Sequence, residues 1–481
     1  MSPVFDEAKY RALLEKLEIF ENPLKCVQQS SSIFRLDSSF FDQKLINLEQ
    51  KVKSMSHFFI ESSNVVSGPF GSMLKSDAYQ ATGIPFIRIE NIKDGFYINN
   101  SDIIYISPED NERIKNSELS KGDIVLSKVG NTIGFFAEVS EDIGICNISE
   151  NNIGIKLTGF TDSKKAIVLT YLNTHIAQSL TLRRISGNAQ PKLNVGDVCE
   201  IPIPVFNTEF EKGIEFFLQK SKKNRKDAIN SYLVAEHLLL QELGLPDWQP
   251  DDESVATKTF ADFQNSGRLD AEYYQPKYDD LFKRISSYDK SHLGDIVNIT
   301  KSIEPGSEAY QEDGVPFLRV SDITKFGIAP PEIHLDRDKY YSENLTPKKD
   351  TILLSKDGSV GIAYKVENDL DVITSGALLH LTVKNNDFLP DYLTLVLNSI
   401  VVKLQAERDA GGSIIQHWKP SEIENVIIPK LPKAVQNQIA EKVRESFALR
   451  KESKRLLDLA KHAVEVAIEQ GEDVAMKLLE N

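Results

Sequence analysis

The sequence has few cysteines and no long apolar run, and both shortages limit what the protein is. The three cysteines, Cys26, Cys146 and Cys199, are far apart and odd in number. They suit neither a disulfide framework nor a zinc ligand set, so we expect buried, reduced thiols. No apolar run is long enough to span a bilayer, and the first residues lack the basic and then apolar pattern of a secretion signal. We therefore expect a soluble, cytoplasmic protein.

Motifs of catalysis are also lacking. The sequence has no Gly-x-x-x-x-Gly-Lys-Ser/Thr loop of an ATPase, no Gly-x-Gly-x-x-Gly after a strand, and no Asn-Pro-Pro-aromatic or Asp-Pro-Pro-Tyr segment of a methyltransferase. Its eight histidines are dispersed and form no His-Glu-x-x-His or Cys/His metal pair. The sequence therefore predicts a non-catalytic protein without a metal site.

The charge balance bears on the class of partner. The net charge of −15 counts against a nucleic-acid binder, because affinity for phosphate comes from Lys and Arg. Net charge averages over the whole surface, however, whereas a DNA footprint needs only one basic face. A length of 481 residues suits two or three domains.

The two halves of the chain repeat each other in the same order. The matched segments are Arg35-Leu36-Asp37 with Arg268-Leu269-Asp270, Gly83–Ile89 with Gly314–Val320, Ile124–Lys128 with Ile352–Lys356, and Ile201–Pro204 with Val426–Pro429. The offset shrinks in small steps from 233 to 225, as expected when loops change length around a shared scaffold. The chain is therefore a duplicated unit, with a period too long for a solenoid.

Each unit has a mixed α/β part followed by a long helix. Short apolar runs separated by glycines predict strands, including Ile84–Ile89 and Asp123–Ser127. Residues 209–243 and 434–470 contain no Pro and carry apolar or small residues at a 3–4 spacing, which predicts a coiled-coil seam. Two such units related by an approximate twofold axis would place the helices antiparallel, each roughly 50 Å long. The predicted fold class is thus α+β, with two tandem pseudo-twofold-related units and an antiparallel coiled coil.

These segments resemble a known family. Arg-Leu-Asp-x-x-aromatic-aromatic at 35–41 and 268–274, Pro-Phe-Ile-Arg-Ile-Glu-Asn-Ile at 85–92 with its repeat at 316–323, and Gly-Asp-Ile-Val-Leu-Ser-Lys at 122–128 look like the specificity subunits of type I restriction–modification systems. The likeness covers nearly the whole chain. It implies the following domains: an N-terminal helical segment 1–34, target-recognition domains 35–204 and 251–430, a central spacer helix 205–250 and a C-terminal spacer helix 431–481.

The resemblance also implies the partners. Each recognition domain would read one half of a split site in double-stranded DNA, and the helices would dock two methyltransferase subunits, which restriction/translocase subunits join. S-adenosylmethionine, ATP and Mg would bind to those partners, so we expect no cofactor on this chain. The two halves diverge outside the scaffold, as at 185–190 against 410–415, so we expect two unlike half-sites.

Base reading and backbone anchoring need Arg, Lys, Asn, Gln or hydroxyl groups on loops. The stretch 183–192 is the strongest candidate in the first half and 408–419 in the second, although Trp418 fits a core position equally well. The full set of candidate DNA contacts is Lys75, Tyr79, Arg88, Lys128, Asn131, Arg183, Arg184, Asn188, Gln190, Lys192, Tyr310, Arg319, Lys356, Ser359, Arg408, Ser413, Gln416, His417 and Lys419. Arg88 and Arg319 recur in both halves, which favours a scaffold or phosphate role for them over base reading.

Other functions stay open from the residues alone. A lone nuclease would need an active-site cluster, whereas a coiled-coil scaffold without DNA binding would behave toward DNA independently of salt. A specificity-like adaptor of a modification-only system would differ only in its neighbouring subunits.

Overall fold

The computed structural model describes residues 25, 27, 35, 37–71, 73–93, 95–100, 102–130, 132–187, 191–250, 255–411 and 416–480. The chain divides into two compact units. Unit 1 comprises residues 1–222 and 453–481, and unit 2 comprises residues 223–452. The predicted N-terminal segment 1–34 lies outside the described residues apart from Lys25 and Val27.

Unit 1 combines short strands with short helices. Its strands are β1 (His57–Phe58), β2 (Val65–Ser67), β3 (Ile84–Ile87), β4 (Phe96–Tyr97), β5 (Ile104–Ile106), β6 (Ile124–Ser127), β7 (Phe136–Glu138), β8 (Asn147–Ile148), β9 (Asn152–Ile155) and β10 (Ile203–Pro204). Its short helices are α1 (Gln43–Ser54), α2 (Pro108–Arg113), α3 (Asp162–Leu172), α4 (His175–Arg183) and α5 (Val195–Cys199).

The strands of unit 1 form a five-stranded sheet in the order β2-β9-β6-β7-β4, a three-stranded sheet β5-β3-β8 and the pair β1-β10. Strand β6 has apolar side chains on both faces because both faces are buried. Ile124 and Leu126 belong to the large cluster that includes α3 and α4, whereas Val125 packs in a second cluster with Ile87 of β3. Its continuous apolar sequence therefore reflects a central position.

Helix α6 (Thr208–Glu242) begins in unit 1 and ends in unit 2. The short helices of unit 2 are α7 (Phe260–Ser266), α8 (Pro276–Ile285), α9 (Leu293–Ile296), α10 (Arg337–Tyr340), α11 (Pro390–Asn398), α12 (Ile400–Asp409) and α13 (Pro420–Glu424). Its strands are β11 (Lys290–His292), β12 (Val297–Lys301), β13 (Val315–Leu318), β14 (Ile323–Thr324), β15 (Gly327–Ile328), β16 (His334–Leu335), β17 (Ile352–Ser355), β18 (Ala363–Lys365), β19 (Ile373–Thr374), β20 (Leu378–Val383) and β21 (Ile427–Pro429).

The strand pairing of unit 2 repeats that of unit 1. In unit 1 the central Ile124 pairs with Ile155, which also pairs with Val65. In unit 2 the central Ile352 pairs with Leu381, which also pairs with Ile299 of β12. The exit strands agree as well, because β10 pairs with β1 and β21 pairs with β11. The duplication read from the sequence is thus present in the hydrogen-bond register.

One difference concerns the sheet edge. In unit 1 the strand β4 adds to the large sheet by pairing parallel with β7. In unit 2 the corresponding segment folds on itself as the hairpin β14-β15, so the sheet β12-β20-β17-β18 has four strands. A second difference is the loop before the repeated Ala-Tyr-Gln segment, which is longer after β2 than after β12.

Two long helices each contribute residues to both units. They are α6 (Thr208–Glu242) and α14 (Lys433–Gln470), followed by α15 (Glu472–Leu479), and their ends lie within one residue of the predicted 209–243 and 434–470. In unit 2 the Ser446 hydroxyl donates to the Ala228 carbonyl at 2.6 Å, and the Ser231 hydroxyl donates to the Lys442 carbonyl at 3.0 Å. Partner numbers fall as residue numbers rise, so these segments pack antiparallel.

In unit 1 the hydroxyls of Ser221 and Ser453 lie 2.7 Å apart and are buried. Small residues thus occupy the helix contact in each unit, as the sequence predicts, and they let two backbones approach closely. The supercoil itself stays a prediction.

The cysteine expectation is met in part. Cys146 is buried and free, whereas Cys199 is free but only partly buried, because it lies at the end of the one-turn helix α5; Cys26 is outside the described residues. Among the described residues, no helix combines the length and apolarity needed to cross a membrane.

Candidate nucleic-acid interface

The repeated Arg-Leu-Asp motif holds the chain together in each unit. The Arg35 guanidinium donates to both carboxylate oxygens of Asp37, at 2.8 and 2.9 Å, and Nη1 donates to the Arg184 carbonyl at 2.8 Å. Arg268 pairs in the same way with Asp270 and donates to the Asp409 carbonyl at 3.0 Å. Each guanidinium therefore caps the carbonyl end of a helix, α4 or α12, which satisfies otherwise unpaired acceptors. This motif is scaffold.

Arg88 and Arg319 also occupy equivalent places. The backbone amide of Arg88 donates to the Asn91 side chain at 2.9 Å, and that of Arg319 donates to Asp322 at 2.8 Å, which caps a 3-10 turn after β3 and after β13. The Arg319 guanidinium turns back toward the same Asp322 carboxylate at 3.4 Å. The recurrence in both halves thus has a structural cause, and a direct DNA contact by either side chain stays a prediction.

A glycine turn and a returning loop bring distant candidates together in unit 1. The chain leaves β6, turns at Gly130 with a positive φ of 81°, and meets the loop after α4. Val129 and Lys192 form a β-bridge, and the Leu193 amide donates to the Lys128 carbonyl at 2.9 Å. Lys128 and Lys192, remote in sequence, therefore lie beside the same turn.

Unit 2 builds the same junction from its own residues. Asp357 and His417 form the equivalent bridge, and the Trp418 amide donates to the Lys356 carbonyl at 2.8 Å. The Gly358 amide donates to the Gln416 carbonyl at 2.9 Å. The predicted contacts Lys356, Gln416 and His417 are therefore brought together as well.

The two junctions differ in charge. In unit 1 the Lys128 ammonium donates to the Ser67 hydroxyl at 3.0 Å. Partial burial, and then the nearby positive charge of Lys192, lower the pKa of Lys128, with Glu150 acting in the opposite sense. Among the residues that the structure describes, neither lysine has a carboxylate within ion-pair distance.

In unit 2 the corresponding cation is neutralised. The buried Lys356 ammonium pairs with the adjacent Asp357 carboxylate, and His417 Nδ1 lies 2.8 Å from the same carboxylate. Burial alone raises the pKa of Asp357, but the hydrogen bonds and charges of Lys356 and His417 outweigh it and hold that pKa below its usual value. The Lys356 ammonium is thus neutralised within unit 2.

A cavity of about 420 Å³ opens beside the unit 1 junction. Its walls carry Ser67, Pro69, Phe70, Met73, Arg113, Asn116, Lys128, Glu150, Lys192 and Asn194, among others. The loop between β2 and the next 3-10 turn presents Phe70 with 81% of its surface exposed. Cations, amides and an exposed aromatic ring at one opening are the groups that contact phosphate and bases.

Several of these residues were not among the sequence candidates. Phe70 lies on a loop, Arg113 at the end of α2 and Asn116 in a short 3-10 turn, and no motif singles them out. An aromatic residue set between Pro69 and Gly71 was the available signal, because a turn cannot bury a large ring within itself. For Arg113 and Asn116 the sequence carries no such signal.

Two predicted contacts are corrected by the structure. Arg183 and Arg184 are 5% and 2% exposed. Both guanidinium groups pair with the buried carboxylate of Glu49 on α1, Arg184 at 2.7 Å. Arg183 Nε also donates to the Phe40 carbonyl at 2.6 Å. The stretch 183–192 is cationic in sequence, but the guanidinium groups of Arg183 and Arg184 are buried and paired with Glu49 inside unit 1. They are therefore not available to DNA.

The remaining candidates lie in varied settings. Tyr79 packs against Phe86 in a small core, with ring centroids 5.9 Å apart. Tyr310 packs against Phe317 at 5.8 Å, but 38% of its surface is exposed. Lys75, Lys192, Ser359, Gln416, His417 and Lys419 are exposed, and Arg408 is bonded to Asp409 at 2.7 Å over the Phe282 ring. Asn131, Asn188, Gln190 and Ser413 lie outside the described residues, and Trp418 is buried in the core of unit 2.

Comparison with known proteins places one part of the chain. Residues 285–455 match the family described as the type I restriction modification DNA specificity domain. No curated protein matches the chain.

Solved structures give weaker likenesses. The S subunit of a type I restriction-modification system from M. genitalium matches at 14% identity over 89% of this chain and 96% of that chain, with a TM-score of 0.35. The HsdS subunit from Thermoanaerobacter tengcongensis matches at 14% identity over 88% and 96%, with a TM-score of 0.27.

Proposed function

We propose that this chain is the sequence-specific DNA-binding specificity subunit of a type I restriction–modification complex, because residues 285–455 match the family described as the type I restriction modification DNA specificity domain. The observation that carries the proposal is the duplication. The family match lies mostly in unit 2, and unit 1 repeats the strand register of unit 2 around the central strands β6 and β17. Two domains of one kind would read two separate blocks of one DNA site.

We infer that the two blocks differ in sequence. The scaffold is shared, since the Arg-Asp pairs and the capped turns recur, but the junction residues are Lys128, Val129 and Lys192 in unit 1 against Lys356, Asp357 and His417 in unit 2. Side chains that offer different donors and acceptors select different base edges. A bipartite, asymmetric site follows from two unlike readers on one chain.

The role proposed for this chain is recognition without catalysis. Among the described residues, no group of three or more His, Cys, Asp or Glu side chains is placed to hold a metal ion. In this proposal two methyltransferase subunits and the restriction/translocase subunits bind S-adenosylmethionine, ATP and Mg, and the complex works in the cytoplasm. The family resemblance of the chain is what supports these partners.

The test is to co-express the chain with its neighbouring methyltransferase subunit and map adenine methylation across a host genome by single-molecule sequencing. We expect one motif made of two unlike blocks separated by a fixed gap. Replacing residues 35–204 with the matching segment of another family member should change one block and leave the other. A methyltransferase with an inactivated catalytic site serves as the control. A stable complex that methylates no new site would refute the proposal and favour a scaffold without DNA binding.

A further inference from the structure

The junction beside β6 in unit 1 has a charge arrangement that unit 2 lacks. We propose that Lys128 and Lys192, which we call the two-lysine cleft, bind a phosphate of the DNA backbone, and that the equivalent place in unit 2 binds none. The inference rests on the proposed DNA-binding function and adds to it an asymmetry between the two units. It assigns the anchoring role to two residues and excludes it for their counterparts.

The first support is the lack of a counterion. Both lysines line the same cavity of about 420 Å³, and their ammonium groups are close enough for Lys192 to lower the pKa of Lys128. In the part of the chain that the structure describes, no carboxylate lies within 4 Å of either group. An anion bound between two ammonium groups offsets the repulsion between them, and phosphate is the anion that DNA provides.

The second support is how the lysines are held. Lys192 is fixed to the turn by its bridge with Val129 and by backbone bonds with Ser186 at 2.9 and 3.0 Å. Lys128 leaves the end of the buried strand β6, and its ammonium is oriented by the Ser67 hydroxyl at 3.0 Å. Hydrogen bonds that already hold the backbone at both positions lower the entropy lost when an anion is bound.

Two further charged groups face the same cavity. The Glu150 carboxylate accepts from the Gly71 amide at 2.6 Å and partly offsets the lysines. Arg113 is paired with Asp110 at 2.8 Å, with 66% of its side chain exposed. Counting Lys128, Lys192 and Arg113 against Glu150 and Asp110 leaves the opening with an excess of positive charge.

The third support comes from the matched position in unit 2. Asp357 occupies the position that Val129 has in unit 1. Its carboxylate forms an ion pair with the Lys356 ammonium and lies within hydrogen-bond distance of His417 Nδ1. Asp357 in place of Val129 and His417 in place of Lys192 therefore leave the unit 2 junction without two unpaired lysines. Since both junctions share one backbone arrangement, the difference lies in side-chain charge and not in fold.

The experiment measures salt dependence in the full complex with the methyltransferase subunit. Binding to a 40-base-pair duplex of mixed sequence is titrated from 50 to 200 mM salt for the wild type, for Lys128→Gln/Lys192→Gln, and for the matched Lys356→Gln/His417→Gln. Each phosphate contact contributes about 0.9 to the slope of log K against log salt. If each lysine accounts for one phosphate contact, the slope of log K against log salt is about 1.8 smaller for the unit 1 variant than for the wild type. Between 50 and 200 mM salt, the binding constant of the variant therefore falls about 12-fold less than that of the wild type. The unit 2 variant keeps the wild-type slope.

A second readout needs no variant. Lysine acetylation of the wild-type complex, followed by mass spectrometry, should show that the duplex protects Lys128 and Lys192 but not Lys430. An unchanged slope in the unit 1 variant, or modification of both lysines at equal rates with and without DNA, would overturn the inference. Methylation of the bipartite motif by the wild type would persist in that case, so failure of the cleft is distinguishable from failure of the proposed function.

Discussion

The buried charge cluster around Glu49 makes a sharp prediction about stability. Glu49 on α1 faces Arg183 and Arg184 at the end of α4, and Lys53 lies 2.8 Å away at the surface. We expect Glu49→Gln to destabilise unit 1 because it leaves two buried guanidinium groups without their counterion. Removing one partner of a buried ion pair costs about 3 to 5 kcal/mol.

The hydrogen bonds that remain around the two arginines favour the lower end of this range of unfolding free energy. Arg183 keeps the Phe40 carbonyl, and Arg184 keeps the carbonyls of Leu180 and Glu200 at 3.0 and 2.9 Å, so neither guanidinium becomes wholly unpaired. The amide of Gln also still accepts one hydrogen bond. We therefore expect a loss near the low end, about 3 kcal/mol of unfolding free energy.

The same carboxylate sets a pH dependence. Burial alone raises the pKa of Glu49, but Arg184, Lys53 and Arg183 outweigh it and hold that pKa below its ordinary value. A carboxyl whose folded-state pKa is depressed adds stability above its unfolded pKa of about 4.3, and that stability is lost as the pH falls through the folded value. Glu49→Gln should therefore flatten the acid limb of the stability curve.

Hydrogen exchange followed by mass spectrometry is the assay, because it reports α1 and α4 separately from unit 2 in one sample. Glu141→Gln is the matched control, since Glu141 is 80% exposed and pairs with Lys121 at 3.0 Å. An exposed pair contributes about 0 to 1 kcal/mol. Equal, small effects of the two substitutions would refute the claim that burial makes the Glu49 cluster costly to break.

Three further substitutions and conditions test other parts of the structure. Gly68→Ala should cost about 2 kcal/mol or more in exchange protection of β2 and β9, because an added Cβ would lie 1.9 Å from the Ser149 carbonyl oxygen, while Gly196→Ala, with nothing within 4 Å, should not. Ser446→Leu should lower the unfolding free energy of unit 2 by about 1 to 3 kcal/mol, because the buried helix contact has no room for the larger side chain. Burial lowers the pKa of His380 to about 4, so unit 2 should lose up to about 3 kcal/mol as the pH falls from about 6.5 to 4, since the unfolded state takes up the proton first. Urea unfolding followed by tryptophan fluorescence measures the last two effects, because both tryptophans lie in unit 2, and a midpoint that does not move would contradict either one.

The long helices were predictable because their signals are local in sequence, and the repeat was predictable because one half of the sequence can be compared directly with the other. A segment such as Ile124–Lys128 can be compared with Ile352–Lys356 without any knowledge of neighbours, and both proved to be central strands with the same pairing. The helix ends follow from Gly244 and the prolines near each terminus. Register and edge differences, such as the lone hairpin β14-β15, need tertiary contacts and were not foreseen.

The candidate site was less predictable for a physical reason. Arg183 and Lys192 look alike in sequence, as cations in one polar stretch, yet one is buried against Glu49 and the other is exposed beside Val129. Which charge is neutralised depends on a carboxylate 134 residues away. The same holds in unit 2, where Asp357 decides the state of Lys356.

The division of the chain has a consequence for biosynthesis. Unit 2 is one continuous stretch, residues 223–452, whereas unit 1 needs residues 453–481 in addition to the first 222. Leu456, Ala460 and Val464 of that last stretch are buried in the main core of unit 1. During synthesis from the N terminus, unit 1 therefore cannot complete its core until residues 453–481 have been made. Unit 2 can finish folding before unit 1 does.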